Sequence, residues 1–416
     1  MPTNKELSFW ASKKRQESLM NWLLYLVALA GATVFVIPLV WMIVTSLKTP
    51  DDIFTIPPKW IPVSEIRLNY EPVIKSQRSG KLKITKGEDG NTILTVENFS
   101  HIVPAVAKIN VKDKQEISKG DVLAELPKEG IVAMSKPAYS KDKSLKISII
   151  DKKSGLPIKS YNAPENAKFL VKEGDTVRPG QKLAHIGPQW INYAKAWAPE
   201  ALDETFNRYL LNTVIITVLG IVGVLLSSTF VAYGFARFKF PGRDLLFLLM
   251  VSTMMIPVQV TMIPTFILFK YAGWIDTFAP LIIPTFFGGG AFNIFLMRQF
   301  FMTIPVELDE AAKIDGCNYF QIFWIILVPL VKPALATIAI FGFVYNWNDF
   351  LNPLIYLNST SNYTLALGLQ TFTTMYGTDY NLMMAASTIV LLPILITFFF
   401  GQRYFIEGVA TSGLKG

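Results

Sequence analysis

Six apolar runs constrain this chain more than any other feature. They extend approximately from Trp22 to Leu47, Tyr209 to Phe235, Leu245 to Phe269, Pro280 to Met297, Pro333 to Phe350 (with an extension towards Tyr356) and Leu382 to Phe400. About 20 apolar residues in a helix cross the roughly 30 Å of hydrocarbon in a bilayer. Lipid offers the backbone no hydrogen bonds, so a run that crosses it must be helical. A soluble core does not call for this many runs of this length, and the pattern predicts six transmembrane helices. Gly220, Gly223, Pro257, Pro264, Pro284, Gly288, Gly289, Gly290 and Pro393 fall inside the runs, which is tolerated where neighbouring helices re-satisfy the backbone.

Composition agrees: 51% of the 416 residues are hydrophobic and 17% charged, against about 25% charged in ordinary soluble domains. The charge is concentrated in residues 60–195, where lysines are mixed with Asp and Glu. The net charge of +8 therefore reads as a solvated surface and not as a nucleic-acid footprint. One cysteine, Cys317, excludes an intrachain disulfide and a cysteine metal cluster, and two histidines, His101 and His185, are too few for a histidine metal site.

The polar segment carries an internal duplication. Val103–Pro127 and Asn162–Gly187 align without a gap: Pro104 falls on Pro164, Ala107 on Ala167, Val111 on Val171, Lys112 on Lys172, Gly120 on Gly180, and Leu123-Ala124 on Leu183-Ala184. Each copy alternates apolar and polar residues about a turn, the pattern of short strands in a small sandwich. The run V-K-E-G-D-T-V-R-P-G-Q-K-L-A resembles the barrel-sandwich hybrid, or hammerhead, fold of lipoyl and biotinyl carrier domains. Carriers need an acceptor lysine in a Met-Lys-Met or Asp-Lys-Ala setting, and Lys136 in Ile131–Pro137 departs from both, so the resemblance implies a structural or docking module.

The expected order is a cytoplasmic N-terminal leader (1–21), the first transmembrane helix (22–47), an extracytoplasmic linker (48–72), an inserted β domain (73–190), a second linker (191–206), a five-helix region (207–403) and a cytoplasmic tail (404–416). The first run exceeds the apolar stretch of a signal peptide and no small-residue cleavage site follows it. Lys13, Lys14 and Arg15 precede it, Arg237, Lys239 and Arg243 lie between the second and third runs, Arg298 and Lys313 between the fourth and fifth, and Arg403 after the sixth. Residues 346–381 hold no Lys or Arg. The bias towards positive charge inside places both termini and the 305–330 loop in the cytoplasm. The β domain then lies outside, since long translocated domains are exempt from that bias.

Between the fourth and fifth runs stands Glu310-A-A-K-I-D-Gly316, continued by C-N-Y-F-Q-I-F-W-I-I-L-V-Pro329. Pro305 opens a helix whose positive end suits Glu307 and Asp309. Gly316 permits a tight turn, and Phe320, Phe323, Trp324 and Leu327 then recur at helical spacing on one side of an interfacial helix. This segment, 305–330, resembles the EAA loop of type I ABC importer permeases, in particular the carbohydrate permease family that includes the maltose permease subunits. Glu310, Ala311, Ala312 and Gly316 match the motif, as do Asp315 and Pro329, while Cys317 stands where a small residue is usual. The Ala236–Arg243 loop and the Gln402–Ala410 tail also fit the family order.

The resemblance implies that Glu307, Glu310, Ala311, Ala312, Asp315 and Gly316 form a coupling element that fits a groove on a cytoplasmic ATPase. It implies a second permease subunit, two ATPase subunits carrying ATP and Mg, an extracytoplasmic solute-binding protein, and a sugar moved across the bacterial or archaeal inner membrane by alternating access. This chain itself has no G-x-x-x-x-G-K-[ST] run to cradle phosphates, so no catalytic site, cofactor or metal is expected on it. Tyr345, Asn346, Asn348 and Asp349, beside Trp347, supply the amide, carboxylate and aromatic groups that a sugar pathway needs. They fit an interhelical packing contact or interfacial belt equally well. Gln259 and Asn293 either line the pathway or join helices, with helix joining preferred. Two other readings stay open: a permease for a nonsugar solute such as a phosphorylated polyol, and a noncatalytic membrane-anchored scaffold whose β domain docks an outer partner.

Overall fold

The computed structural model describes residues 13–87, 91–135, 145–199, 205–374 and 377–413. Lys136 lies outside the described residues. The chain divides into two compact units, one made of Met1–Ser46 with Ile191–Gly416 and the other of Leu47–Trp190.

In the first unit, α1 (Lys13–Ser46) begins within the segment expected as a leader and runs through the first apolar run. Its large apolar side chains from Leu19 to Ile37 are exposed, as a lipid-facing helix requires. The segment expected as the second linker folds into α2 (Ile191–Trp197). Asn192 Nδ2 donates to Ser46 O at 2.8 Å, and Ser46 Oγ shares a 2.8 Å hydrogen bond with the Tyr193 hydroxyl.

The central helix is α3 (Phe206–Arg237). The middle of its buried face is made of small residues, including Gly220, Gly223, Ser227 and Ser228. A Cβ on Gly223 would come within 2.1 Å of Thr285 Oγ1 and 2.7 Å of Phe286. Only glycine allows this approach. Ser227 Oγ donates to Thr285 O at 2.7 Å across the same contact, the kind of polar tie that joins helices without a hydrophobic drive.

The third run, expected as one continuous span from Leu245 to Phe269, is instead broken. It forms α4 (Arg243–Ser252), a 3-10 turn Thr253–Met255, and α5 (Val258–Tyr271), with a bend of 99°. The cause is Pro257, which has no N–H to donate and pushes Ile256 into an extended conformation (φ −79°, ψ 119°). The fourth run is α6 (Ala279–Ile282), a 3-10 stretch Ile283–Phe287, and α7 (Ala291–Thr303), interrupted at Gly288–Gly290. After α8 (Glu307–Ile314) come α9 (Tyr319–Gln321), a π-helical stretch Ile322–Leu327, and α10 (Val328–Leu330). Then follow α11 (Lys332–Asn348), α12 (Leu351–Tyr356), α13 (Leu365–Gly368) and α14 (Tyr380–Gly413). Among the described residues four helices are long and apolar enough to cross a membrane, or up to six if each of the two bent pairs is one span.

The connection between α5 and α6 is latched to residues 358–362. Asp276, at φ 62°, accepts hydrogen bonds from the backbone N–H groups of Asn358 and Ser359, both at 2.9 Å, and from the Ser359 hydroxyl. These bonds, the Ser359 hydroxyl first, hold its carboxyl well below the usual carboxylate range.

Apart from a 3-10 turn at Pro50–Asp52, the regular structure of the second unit is β among the described residues. Part of the segment expected as a linker is a strand, β1 (Ser64–Arg67). The next strands are β2 (Val73–Lys75), β3 (Gly80–Lys86), β4 (Thr92–Val96), β5 (Phe99–Val103), β6 (Lys108–Ile109), β7 (Glu116–Ile117) and β8 (Val122–Glu125). These are followed by β9 (Gly130–Ser135), β10 (Leu145–Ile150), β11 (Pro157–Ala163), β12 (Ala167–Phe169), β13 (Thr176–Val177) and β14 (Lys182–Ile186). The sheets come in matching pairs: β2-β8-β6 with β1-β14-β12, and β5-β4-β3-β7 with β11-β10-β9-β13.

The register repeats as well. Ile109 sits opposite Ala124, as Phe169 sits opposite Ala184. Gly120 N donates to Ser76 O and Gly180 N to Leu68 O. The side chains of Gln115 and Asp175 accept from the N–H of Lys112 and Lys172. Each half has its own core, one around Leu82, Leu94 and Val103, the other around Val132, Ile147 and Ile149. Strand β1 precedes the first half in sequence yet completes the second, so the halves interlock.

Candidate functional site

The site is built on α8. Its first turn carries Glu307, Asp309 and Glu310 and its last turn Lys313, a charge order that complements the helix dipole. One face is bare: Glu307, Leu308, Glu310, Ala311, Lys313, Ile314 and Asp315 are exposed, Ile314 to 86%. The opposite face holds Asp309 and Ala312, exposed only 6% and 5%.

Ala312 packs in a core with Ala232, Tyr233, Phe301, Ile322, Phe323 and Leu327. The two alanines grouped in the sequence motif differ in burial: Ala311 is exposed, whereas Ala312 packs against the core of its own chain.

The end of α8 is closed by its backbone. Cys317 N donates to Ala312 O at 2.9 Å and Gly316 N to Lys313 O at 3.0 Å, with Gly316 at φ 88°. This is a Schellman closure, in which a left-handed residue satisfies the last carbonyls. Cys317 supplies the apolar contact that accompanies such a closure and packs against the same core as Ala312.

Asn318 then opens α9 with a reciprocal capping box. Its side chain accepts from Gln321 N at 2.9 Å, and the Gln321 side chain accepts from Asn318 N at 2.8 Å. The aromatic stripe is unevenly buried. Phe323 and Leu327 are inside with Ile322, while Phe320 and Trp324 are 62% and 38% exposed. The π-helical stretch shifts the phase of the side chains, which a regular 3.6-residue count does not anticipate. Phe320, Phe323 and Trp324 nevertheless all gather on the Phe230 ring of α3, at 6.4, 4.6 and 5.7 Å between centroids.

Sequence reasoning missed the polar partner of α8. Arg237, the last residue of α3, places Nε 3.0 Å from Asp309 Oδ2, with both side chains buried (6% and 8% exposed), and donates from Nη2 to Ile304 O at 3.0 Å. One turn earlier, the Tyr233 hydroxyl donates to Tyr319 O at 3.1 Å. Burial pushes the Asp309 carboxyl up, and Arg237 opposes that shift. The available signal was that Asp309 and Ala312 share a helix face at i, i+3 spacing, away from Glu310 and Ala311.

The polar residues of α11 are separated rather than assembled. Asn346 donates to Gly342 O at 2.8 Å and lies against Gly220, where a Cβ would stand 3.4 Å from its amide. It therefore sits in the α3–α11 seam. Trp347 is buried, donates to Val390 O at 3.0 Å and stacks on Phe343. Asn348, which is exposed, bonds its own helix at Val344 O. Asp349 accepts from Asn352 N and Nδ2 at 3.2 and 2.8 Å, restraining the start of α12. Tyr345 is 65% exposed. Gln259 is exposed on α5, and Asn293 Nδ2 donates to Gly289 O on its own segment.

The helical unit thus carries a polar helix, closed at its C-terminal end and exposed on one face, between segments apolar enough to cross a membrane. Residues 223–410 match the family described as binding-protein-dependent transport system inner membrane component. The chain is 40% identical over 215 residues to a putative ABC transporter permease of Caldicellulosiruptor sp., covering 52% of this chain and 78% of that one. It is 35% identical over 247 residues to the arabinooligosaccharides transport system permease protein AraQ of Bacillus subtilis, covering 58% and 87%. Against the sn-glycerol-3-phosphate transport system permease protein UgpE of Yersinia pestis it is 34% identical over 241 residues, covering 57% and 83%. A solved bacterial ABC transporter involved in alginate import is similar at 26% identity and a TM-score of 0.47, covering 53% of this chain and 81% of that one.

The chain belongs to the family of binding-protein-dependent transport system inner membrane components. It is a noncatalytic, multi-pass permease subunit of an ABC importer, and ATP hydrolysis resides on separate subunits.

Proposed function

We propose that this permease passes a sugar or oligosaccharide, with α8 as the element through which a cytoplasmic ATPase drives it. The exposed face of α8, held on its other side by Asp309 and Ala312 and closed at its C-terminal end by the Schellman hydrogen bonds, carries the second half of this reading. It offers a partner Glu307, Glu310, Ala311 and Asp315 without disturbing the core. The named sugar permeases among the relatives support the substrate class. The UgpE relatives at 34% identity favour one second reading, a phosphorylated polyol. The scaffold reading has no comparable support.

In this account each bent helix pair is one span, giving six, with both termini and α8 in the cytoplasm and the β unit outside. The β unit is a barrel-sandwich hybrid module with a docking or structural role. The working assembly adds a second permease, two ATPase subunits with ATP and Mg, and a solute-binding protein. Tyr345, Asn348 and Asp349 then line the route at its outer part, while Asn346 holds the seam behind them.

The test is uptake by the complex purified with its own partners and reconstituted in vesicles. Arabino-oligosaccharides should be taken up and should stimulate ATP hydrolysis. Stimulation by sn-glycerol-3-phosphate alone would replace the sugar reading with the polyol one.

A further inference from the structure

Three side chains at the cytoplasmic end assigned to α3 hold both arms of the α8 loop. Arg237 reaches the incoming arm twice, at Ile304 O and at the Asp309 carboxylate. Tyr233 reaches the returning arm at Tyr319 O. The stacking of Phe230 on Phe323 extends the contact by another turn. The rest of the buried face of α8 is Ala312, a methyl contact that sets a distance but no direction. The charge contact holds α8 by Coulomb attraction with both side chains buried, and it joins α8 to a span that is not its neighbour in sequence. It is also incompletely satisfied: Asp309 Oδ1 and Arg237 Nε are both buried with no hydrogen-bond partner among the described residues, so the 3.0 Å approach is an ion pair and not a hydrogen bond. A buried acceptor in that state is costly, so packing efficiency alone does not account for a carboxylate at this position.

We propose that Arg237 and Asp309 are the positioning pair that makes α3 follow α8, so that a push on the exposed face of α8 is delivered to the central membrane helix. The proposal rests on α8 being the ATPase contact. Without the pair, α8 still docks and still sits on the core through Ala312, but it slides against α3. Breaking a buried pair from one side leaves an uncompensated charge, whereas replacing both partners by apolar residues of similar size is often neutral for stability. That difference separates positioning from mere stability.

The experiment compares Glu310→Ala, Asp309→Asn and the double variant Arg237→Met with Asp309→Leu, each purified with its native partners and reconstituted. Two quantities are read: solute taken up per ATP hydrolysed, and the distance distribution between spin labels at Lys239, just past α3, and Ile314 on α8. The double variant should insert and retain the ATPase at native levels. Its uptake per ATP should fall about tenfold, within the range by which mutations along a coupling path act, and the label distances should broaden. Native coupling together with a native distance distribution in the double variant overturns the proposal.

Glu310→Ala should lower coupling with the label distances unchanged. If it does not lower coupling, the ATPase-contact reading falls, while the label distances in the double variant still decide whether the pair fixes α8. Should the double variant fail to assemble, Asp309→Asn, which preserves side-chain volume, carries the same distance measurement with the same two outcomes.

Discussion

At Gly316 the backbone sits at φ 88° and a Cβ would meet no atom within 4 Å. The cost of substitution there is conformational and not steric: about 1–2 kcal/mol for a non-glycine residue in the left-handed region, less for Asn. Gly316→Val should open the Schellman closure and reduce uptake per ATP while leaving membrane insertion intact, and Gly316→Asn should be milder. Uptake normalised to inserted protein checks this. Asp276 gives a pH dependence. Its carboxyl is held below the usual range by the Ser359 hydroxyl and N–H groups, so the folded chain favours the ionised form. That stabilisation is complete above the ordinary carboxylate pKa of about 3.9 and is lost as pH falls through the lower folded value. Asp276→Asn should remove this acid dependence, read as protease sensitivity of the 357–362 loop against pH; an unchanged profile would contradict the latch. Burial shifts Asp309 the other way, so its ionised form becomes a greater cost to the fold as pH rises from the ordinary carboxylate pKa through its raised value. Glu310, Ala311 and Gly316 were legible because their properties are local. Asp309 was not, because its partner Arg237 is far away in sequence and only the folded chain brings the two together.

Among the elements, α3 was readable as a span, and its glycines foretold a close helix contact without saying with what. The partner is the irregular segment around Thr285 and Phe286, which no periodicity marks. Gly223→Val places a branched side chain where even a Cβ stands 2.1 Å from Thr285 Oγ1. Overpacking of this kind costs about 1–3 kcal/mol, and the variant should lose melting temperature in detergent while Gly234→Ala, at an open position, should not. An equal effect of both would mean that the seam carries no special load. The break at Pro257 was visible in sequence as a tolerated proline, but its 99° bend depends on the whole surround. In the β unit the gapless alignment caught β6–β8 against β12–β14 and missed the rest of the repeat. The hairpins β3–β5 and β9–β11 differ in length and outward-facing sequence, so only strand pairing shows them to be equivalent. The placement of β1 in the second half was likewise illegible, because its sequence precedes both copies.

On the scale of the whole molecule, the β unit is closed at its own base. Leu47 O accepts from Gln189 N at 2.9 Å, and Ser64 pairs with Ile186, so the chain enters and leaves at one place. Within the helical unit, Asn192 and Tyr193 bond Ser46 and so join its two sequence segments. An insertion with adjacent ends need not disturb its host. Replacing 48–189 by a short Gly-Ser linker should therefore still yield an inserted permease that copurifies with the ATPase; loss of insertion would show that the two units depend on each other. The class of protein was legible from run length, charge order and one loop motif, whereas the substrate was not, since the polar side chains of α11 divide between seams, a helix start and an open face. The central claim is that the bare face of α8 is where the energy enters, and site-directed photocrosslinking tests it most directly. A photoreactive residue in place of Ala311 should give an adduct with the P-loop subunit in the assembled, membrane-embedded complex, and one in place of Ala312, which faces the core, should give none. An intact complex with no adduct from Ala311 would contradict the account.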